Sequence, residues 1–397
     1  MVGPAGIFFR TMRDRDPIKH RVLPFLAGLT MLVSISATAN DDLVRLGEAL
    51  FFDTNLSLNR TQSCATCHNP AVAFTDSREN QAGRAVSLGD DGHSLGDRNT
   101  PSITYAAMIP TFGRDETGVY AGGVFFDGRA RDLIEQAGEP FTNPIEMNLP
   151  DKAAVVERVG ENDSHVVALK RLFGDEVFTD VDTAFRAISQ SIVAFESTPQ
   201  FSPFDSKYDR FLRGEYELTV EEEMGRKLFY SRIFNCHACH LIDQREMQPG
   251  SEFTTFRYHN IGVPVNTAVR QLNGRGVDYI DTGLLENPAI DDPAEAGKFK
   301  VPTLRNVAVT APYMHNGVFN DLETVVVFYN KYILTNIESQ TNPQTNKYWG
   351  EPEVPPGPAD LALLEEGQPV SPMQVDLLVT FLKLLTDQRY EHLLDDD

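Results

Sequence analysis

A mainly α-helical chain built as two similar halves is predicted by three observations. The motif C-x-x-C-H occurs twice, as Cys64-Ala-Thr-Cys67-His68 and Cys236-His-Ala-Cys239-His240, and these copies use every cysteine in the chain. A similar segment precedes each copy: Gly47-Glu-Ala-Leu-Phe-Phe-Asp53 before the first, Gly225-Arg-Lys-Leu-Phe-Tyr-Ser231 before the second. No strand-rich stretch appears anywhere in the 397 residues, a length that suits two or three domains.

The helices follow from apolar spacing. Leu43, Leu46, Leu50 and Phe51 share one helical face, as do Met224, Leu228 and Phe229. Thr219-Val-Glu-Glu222 is a capping-box start for the second of these helices. Further helices are expected at 130–138, 152–158, 182–196 and 322–332. A last helix opens at Ser371-Pro-Met-Gln374, where a capping box coincides with Pro at the first turn. Leu377, Leu378, Phe381, Leu382 and Leu385 form its apolar face. The stretches 77–101 and 248–298 are rich in Gly, Pro, Asn and Asp and read as long loops. Residues 344–358, rich in Pro, read as a surface excursion.

Each C-x-x-C-H has the spacing for covalent haem attachment. Two thiols three positions apart can form thioethers to one haem, and the adjacent histidine then lies beneath the iron. A zinc ribbon would need its two C-x-x-C pairs about 15–20 residues apart, and here they are far more distant. Redox disulfides would not need a histidine after each pair. Two helices, each leading into a haem motif, therefore imply two cytochrome c-like domains, each with one covalent haem c. The boundary is placed at residues 200–203, giving 40–200 and 201–397.

Residues 22–36 form an apolar run of signal-peptide length, too short to span a membrane comfortably. Arg13, Arg15, Lys19 and Arg21 precede it, and Ala37-Thr-Ala39 follows as an A-x-A cleavage site. Residues 1–39 are thus expected to be a cleaved signal peptide, with the mature chain starting at Asn40 and Met12 a second candidate start. An uncleaved anchor is the alternative. Export to the periplasm fits a chain whose haem is attached outside the cytoplasm, and no stable membrane insertion is expected after cleavage.

The net charge is −22. Residues 1–39 are basic, with five Lys/Arg and two Asp/Glu, so the remainder is more acidic still, at −25. This argues against a nucleic-acid partner. It favours a protein with a basic docking face, steered in electrostatically, although plain solubility explains most acidic surfaces.

Beyond the haem motifs, Arg98-Asn-Thr-Pro-Ser102, Phe126-Asp-Gly-Arg-Ala130, Tyr258-His-Asn-Ile-Gly262, Lys300-Val-Pro-Thr-Leu-Arg-Asn306 and Thr310-Ala-Pro-Tyr-Met-His-Asn-Gly317 are specific markers. With them the chain resembles the bacterial di-haem cytochrome c peroxidases and their MauG-like relatives over nearly its whole mature length. The resemblance implies one haem that meets hydrogen peroxide, one that stores or relays electrons, and a calcium ion between them. Cys64, Cys67 and His68 would hold the first haem, and Cys236, Cys239 and His240 the second. The family's Gln, Pro and Glu on the open face of the first haem match Gln136, Pro140 and Glu146. Breaking peroxide needs a proton taken from one oxygen and delivered to the other, which a carboxylate can do, so Glu146 is assigned that shuttle. Gln136 would orient the oxygens and Pro140 would restrict access. By itself, Glu146 would read as a surface carboxylate.

Two positions separate the branches of the family. In the classical peroxidases a loop histidine closes the first haem; here Asp90 takes its place, and His93 nearby reads as an exposed loop residue, a ligand that swings in being the alternative. The second haem's methionine ligand is matched by Tyr329, the mark of the MauG-like branch. A phenolate is hard and anionic and favours higher oxidation states of iron than a thioether does. The alternative is Met314 as ligand, with Tyr329 a core aromatic. Calcium would be held by the Asn99 side chain and the carbonyls of Thr310 and Pro312, oxygen donors that suit a hard cation. Asn99 as a simple turn former is the alternative. One departure is clear: the family's inter-haem tryptophan is replaced by Phe126, which can bridge but is hard to oxidise. Arg98 and Arg129 are candidate haem-propionate partners.

Three functions follow. The first is a MauG-like oxidase that uses peroxide, through a high-valent di-haem state, to oxidise a partner protein, its tryptophan side chains among the candidates. The second is a cytochrome c peroxidase that scavenges peroxide with electrons from a small cytochrome or cupredoxin. The third is a non-enzymatic electron-transfer di-haem cytochrome. Tyr329 and the missing loop histidine favour the first, Phe126 counts against it, and Gln136 and Glu146 argue against the third.

Overall fold

The computed structural model describes residues 29–241, 250–276 and 278–394, with side chains from Asn40 onward. Residues 41–397 cluster as one compact unit, apart from residues 1–40. The expected signal peptide therefore lies outside the described residues, save for the backbone of the helix that begins at Leu29. Among the described residues no helix is long and apolar enough to cross a membrane.

The described helices run in order as α1 (Leu29–Phe51), α2 (Cys64–Cys67), α3 (Leu133–Thr142), α4 (Lys152–Gly160), α5 (Asp163–Phe173), α6 (Val181–Glu196) and α7 (Lys207–Leu212). They continue as α8 (Val220–Tyr230), α9 (His237–His240), α10 (Thr267–Leu272), α11 (Leu322–Phe328), α12 (Pro358–Glu365) and α13 (Pro372–Lys383). Among the described residues, strands are confined to three two-stranded antiparallel pairs: Gly113–Arg114 with Tyr120–Ala121, Tyr258–His259 with Phe299–Lys300, and Thr341–Asn342 with Lys347–Tyr348.

The two anticipated capping boxes are both present. Thr219 N–H donates to Glu222 Oε2 at 2.7 Å while Glu222 N–H donates to Thr219 Oγ1 at 3.2 Å. Ser371 N–H donates to Gln374 Oε1 at 2.9 Å, with Pro372 opening α13. These reciprocal bonds satisfy N–H groups that a helix start leaves without partners. The helices α2, α5, α7, α9, α10 and α12 fall outside the segments expected to be helical. The run 322–332 divides: α11 ends at Phe328 and a 3-10 turn carries Tyr329–Tyr332.

Two main apolar cores form. The first gathers Leu46, Leu50, Phe51, Phe141, Ile188, Ile192, Phe195 and Phe201; the second gathers Phe229, Phe253, Leu378, Phe381, Leu382 and Leu385. The same device closes each. A Cβ on Gly47 of α1 would stand 1.8 Å from the Ser191 carbonyl oxygen of α6, and one on Gly225 of α8 would stand 2.0 Å from that of Leu377 in α13. Only glycine lets the helices cross so closely, which explains why the repeated segment keeps glycine at its head.

Two expectations need correcting. Met224 is 44 % exposed; the buried face of α8 is Glu222, Gly225, Arg226 and Phe229, because the Gly225 crossing turns Met224 outward. The segment 344–358 is not a surface excursion throughout. Trp349 is buried against Phe319 and Phe328, and its indole N–H donates to the Ser339 carbonyl at 2.8 Å.

Candidate active site

The cores hold two haem-attachment turns in matching ways. In the first, Ser63 caps α2 through Thr66, bringing Cys64 and Cys67 onto one turn, and His68 N–H donates to the Cys64 carbonyl at 2.9 Å. In the second, His240 N–H donates to the Cys236 carbonyl at 3.2 Å. His68 Nδ1 lies 3.1 Å from the Phe74 carbonyl oxygen, and His240 Nδ1 lies 3.1 Å from that of Phe253. A carbonyl only accepts, so Nδ1 carries the hydrogen and Nε2 keeps its lone pair. Burial lowers the pKa of both rings, that of His240 to about 4, which keeps them neutral. A neutral, oriented imidazole with a free Nε2 is what an axial haem ligand requires. Phe74 and Phe253 take similar left-handed conformations (φ 56° and 54°) that aim these carbonyls back at the rings.

Gln136 and Pro140 lie one turn apart on α3, and the chain turns at Asn143 to present Glu146. That turn is tied down on every side. Glu146 N–H donates to the Asn143 carbonyl at 3.0 Å, Met147 N–H to that of Pro140 at 3.2 Å, and Asp90 N–H to the Glu146 carbonyl at 2.8 Å. Glu146 is half-buried. Burial, with Glu139 adding and Arg129 opposing, pushes its pKa up to about 7. A carboxyl near 7 can take and return a proton at neutral pH.

Asp90 is a satisfied structural carboxylate. It is 5 % exposed and accepts from Ser57 Oγ at 2.7 Å, Asn59 N–H at 2.6 Å and Thr61 Oγ1 at 2.5 Å. His93 is on the surface beside Asp91, 3.2 Å away. Arg98 is bound by Asp127, Asp281 and Glu286, and Arg129 by Asp127 and Glu139, so carboxylates of this chain already engage both candidate propionate partners. Phe126 lies on the loop between them, its carbonyl accepting from Lys300 N–H at 2.8 Å.

At the second site Tyr329 caps the C-terminus of α11. Burial raises its phenol well above the ordinary range, and Cys239 and Cys236 are close enough to add to the shift. Met314 packs against the cluster of Phe319, Phe328 and Trp349. His259 bonds Asp360 at 2.9 Å, and this pairing, with Cys239 adding, overcomes burial and raises its pKa to about 9.

Asn99, Thr310 and Pro312 line one polar recess, together with Thr75, Asp76, Thr100 and an exposed Arg84. Asn99 Nδ2 donates to the Ala85 carbonyl at 3.0 Å, which leaves Oδ1 free to face a cation. This oxygen-rich donor set fits calcium.

Sequence reasoning missed Glu196. It is 5 % exposed on α6, its Oε2 has no partner, and burial pushes its pKa up to about 8. Its proximity raises the Cys64 thiol further. No local pattern marks it, because it sits in an apolar helical run as one acidic residue among many. The carbonyl partners of the two histidines were also invisible: Phe74 follows His68 by six positions and Phe253 follows His240 by thirteen, with no common spacing.

A family model described as di-haem cytochrome c peroxidase matches residues 41–217. The methylamine utilization protein MauG of Paracoccus denitrificans is 51 % identical over 380 residues, covering 94 % of this chain and 97 % of that protein. The cytochrome-c peroxidase IdrP2 of Denitromonas iodatirespirans is 30 % identical over 74 % of each chain. Among solved structures, the diheme peroxidase BthA from Burkholderia thailandensis E264 superposes with a TM-score of 0.77 at 32 % identity, over 88 % of this chain and 86 % of that one. Its relatives imply two haem c groups and an oxidoreductase that acts on peroxide, and the chain belongs to the di-haem cytochrome c peroxidase family.

Proposed function

We propose that this protein is an exported, MauG-like di-haem peroxidase that uses hydrogen peroxide to oxidise a partner protein. The observation that carries this reading is Tyr329 beside the Cys236/Cys239 pair, where the classical peroxidases place methionine. The similarity to the Paracoccus MauG over nearly the full chain supports it. We read the two apolar cores as two haem-holding domains meeting near residue 200, with calcium in the Asn99 recess between them.

The haems supply the redox chemistry with peroxide; the chain's own residues supply position and protons. His68 and His240, held by the Phe74 and Phe253 carbonyls, would offer Nε2 to the haem irons. Glu146 takes a proton from one peroxide oxygen and returns it to the other. Gln136 orients the oxygens, Pro140 narrows the approach, and Asp90 fixes Glu146 through its backbone. Tyr329 would offer its phenol oxygen to the second haem's iron; burial alone favours the neutral phenol, and a cationic iron would supply what the phenolate needs. Partner docking favours a basic surface, given the charge of −22.

The test is stopped-flow absorbance of the fully oxidised, haem-loaded protein with one equivalent of peroxide. Prompt oxidation of both haems, reversed by two electrons, is expected. A reaction that waits for prior reduction of one haem overturns the reading. It would favour a peroxide-scavenging enzyme, the second reading, which Phe126 supports and which several relatives carry in their names.

A further inference from the structure

Tyr105 stands between the two histidine-holding loops. It is 2 % exposed. Its backbone N–H donates to the Phe201 carbonyl at 2.9 Å, and the Phe201 ring stacks at 4.3 Å on Phe74, whose carbonyl holds His68. On its other side the Arg305 guanidinium lies 5.2 Å from the Tyr105 ring and 5.4 Å from that of Phe253, whose carbonyl holds His240. A packed path thus joins the two histidines without passing through Phe126.

The phenol at the middle of this path has a proton acceptor. Tyr105 O–H donates to Asp387 Oδ1 at 2.5 Å, and the other carboxylate oxygen accepts from Asn306 Nδ2 at 2.8 Å. Asp387 is fully buried, which raises its pKa to about 6 and still leaves it ionised at neutral pH. Burial, with Asp387 adding and Arg305 opposing, holds the phenol's own pKa well above the ordinary range, so Tyr105 does not ionise on its own. Removing an electron from such a ring becomes far easier when the proton leaves with it. Tyr216 and Tyr279 also donate to carboxylates, those of Glu222 and Glu286, but both are only half-buried.

We propose that Tyr105, with Asp387 as its proton acceptor, is an oxidisable relay between the two haem sites, a role the phenylalanine at position 126 cannot fill. The proposal rests on the reading that peroxide oxidises the haem pair. One electron passes from the Tyr105 ring to that oxidised pair, lowering its oxidation level by one. The O–H proton crosses to Asp387 Oδ1, leaving a neutral tyrosyl radical and a neutral carboxyl. An electron from the partner protein, with the proton returned by Asp387, restores both groups.

The test is freeze-quench EPR of the haem-loaded protein mixed with one equivalent of peroxide without partner, with absorbance followed in parallel. A tyrosyl signal that changes with ring-deuterated tyrosine and is lost in Tyr105→Phe is expected. Phenylalanine keeps the ring and can replace tyrosine at the same positive φ of 61° with no added strain. In Asp387→Asn the radical should form roughly a hundredfold more slowly, the low end of what a positioned base contributes. Thermal unfolding of both variants separates this from a purely structural contact, which would lower stability and leave the radical in place. Oxidised haems with no tyrosyl signal, or a signal that persists in Tyr105→Phe, overturn the relay alone. Haems left unoxidised overturn the peroxide reading and the relay together.

Discussion

The two haem-attachment halves are built on one plan and differ where their chemistry would differ. Each has a glycine crossing, Gly47 on α6 and Gly225 on α13; a phenylalanine four residues on, Phe51 and Phe229; and a histidine held by a phenylalanine carbonyl. They diverge around this frame. In the first half the phenylalanine packed on the crossing, Phe195, is followed by the buried acid Glu196; in the second, Phe381 is followed by Leu382. Glu146 is close enough to the first turn to raise the Cys67 thiol, and Tyr329 is the residue close to Cys236 and Cys239 in the second. The lesson is that the frame and its surroundings are separable here: the glycine crossing, the phenylalanine and the carbonyl-held histidine are shared, and the titratable groups around them are not.

The largest expected effect tests the shared frame. Gly47→Ala and Gly225→Ala should each destabilise the loaded protein by about 3 kcal/mol or more, since each Cβ would run into backbone that cannot give way. Denaturant unfolding measures it, and a mild loss at one glycine alone would break the equivalence. Next, Glu146→Gln should slow the reaction with peroxide by roughly a hundredfold or more while leaving the second haem's potential unchanged. In the unmodified protein the rate should rise with pH through about 7, as the Glu146 carboxylate forms, and level off above.

A third prediction concerns Glu196. In the folded chain it stays protonated up to about pH 8, whereas an unfolded glutamate ionises near 4.5. Between these values the native state holds a proton that the unfolded state has released, so stability should fall as pH rises from 4.5 to about 8. Glu196→Gln should flatten that slope, seen in unfolding curves across the range; an unchanged slope would mean the acid is ionised and paired in the native protein. The smallest effect is His93→Ala. An exposed ring paired only with Asp91 should change stability by less than about 0.5 kcal/mol and leave the first haem's spectrum alone. A spectral shift would make His93 a ligand after all.

Much of this was legible in sequence because it is local. The haem motifs, the capping boxes at Thr219 and Ser371 and the apolar face of α13 all depend on residues within a few positions of one another. The resemblance supplied Glu146, Gln136, Asn99 and Tyr329, and the structure gathers Asn99 with Thr310 and Pro312, and Tyr329 with Cys236 and Cys239. What stayed hidden is set by distant chain. Met224 faces outward because Gly225 must face α13, and Trp349 is buried because its segment folds back on Phe319 and Phe328. The Tyr105–Asp387 bond joins residues 282 positions apart, and no periodicity encodes such a pairing.

The burial of Trp349 has a practical side. It is the chain's only tryptophan, and its ring packs at 5.2 Å on Phe328, the residue before Tyr329. Haem absorbs where indole emits and quenches it over long range. Emission from Trp349 should therefore be bright in protein that carries no haem and dark in the loaded protein. Haem loading of the chain can then be followed optically, with no label added.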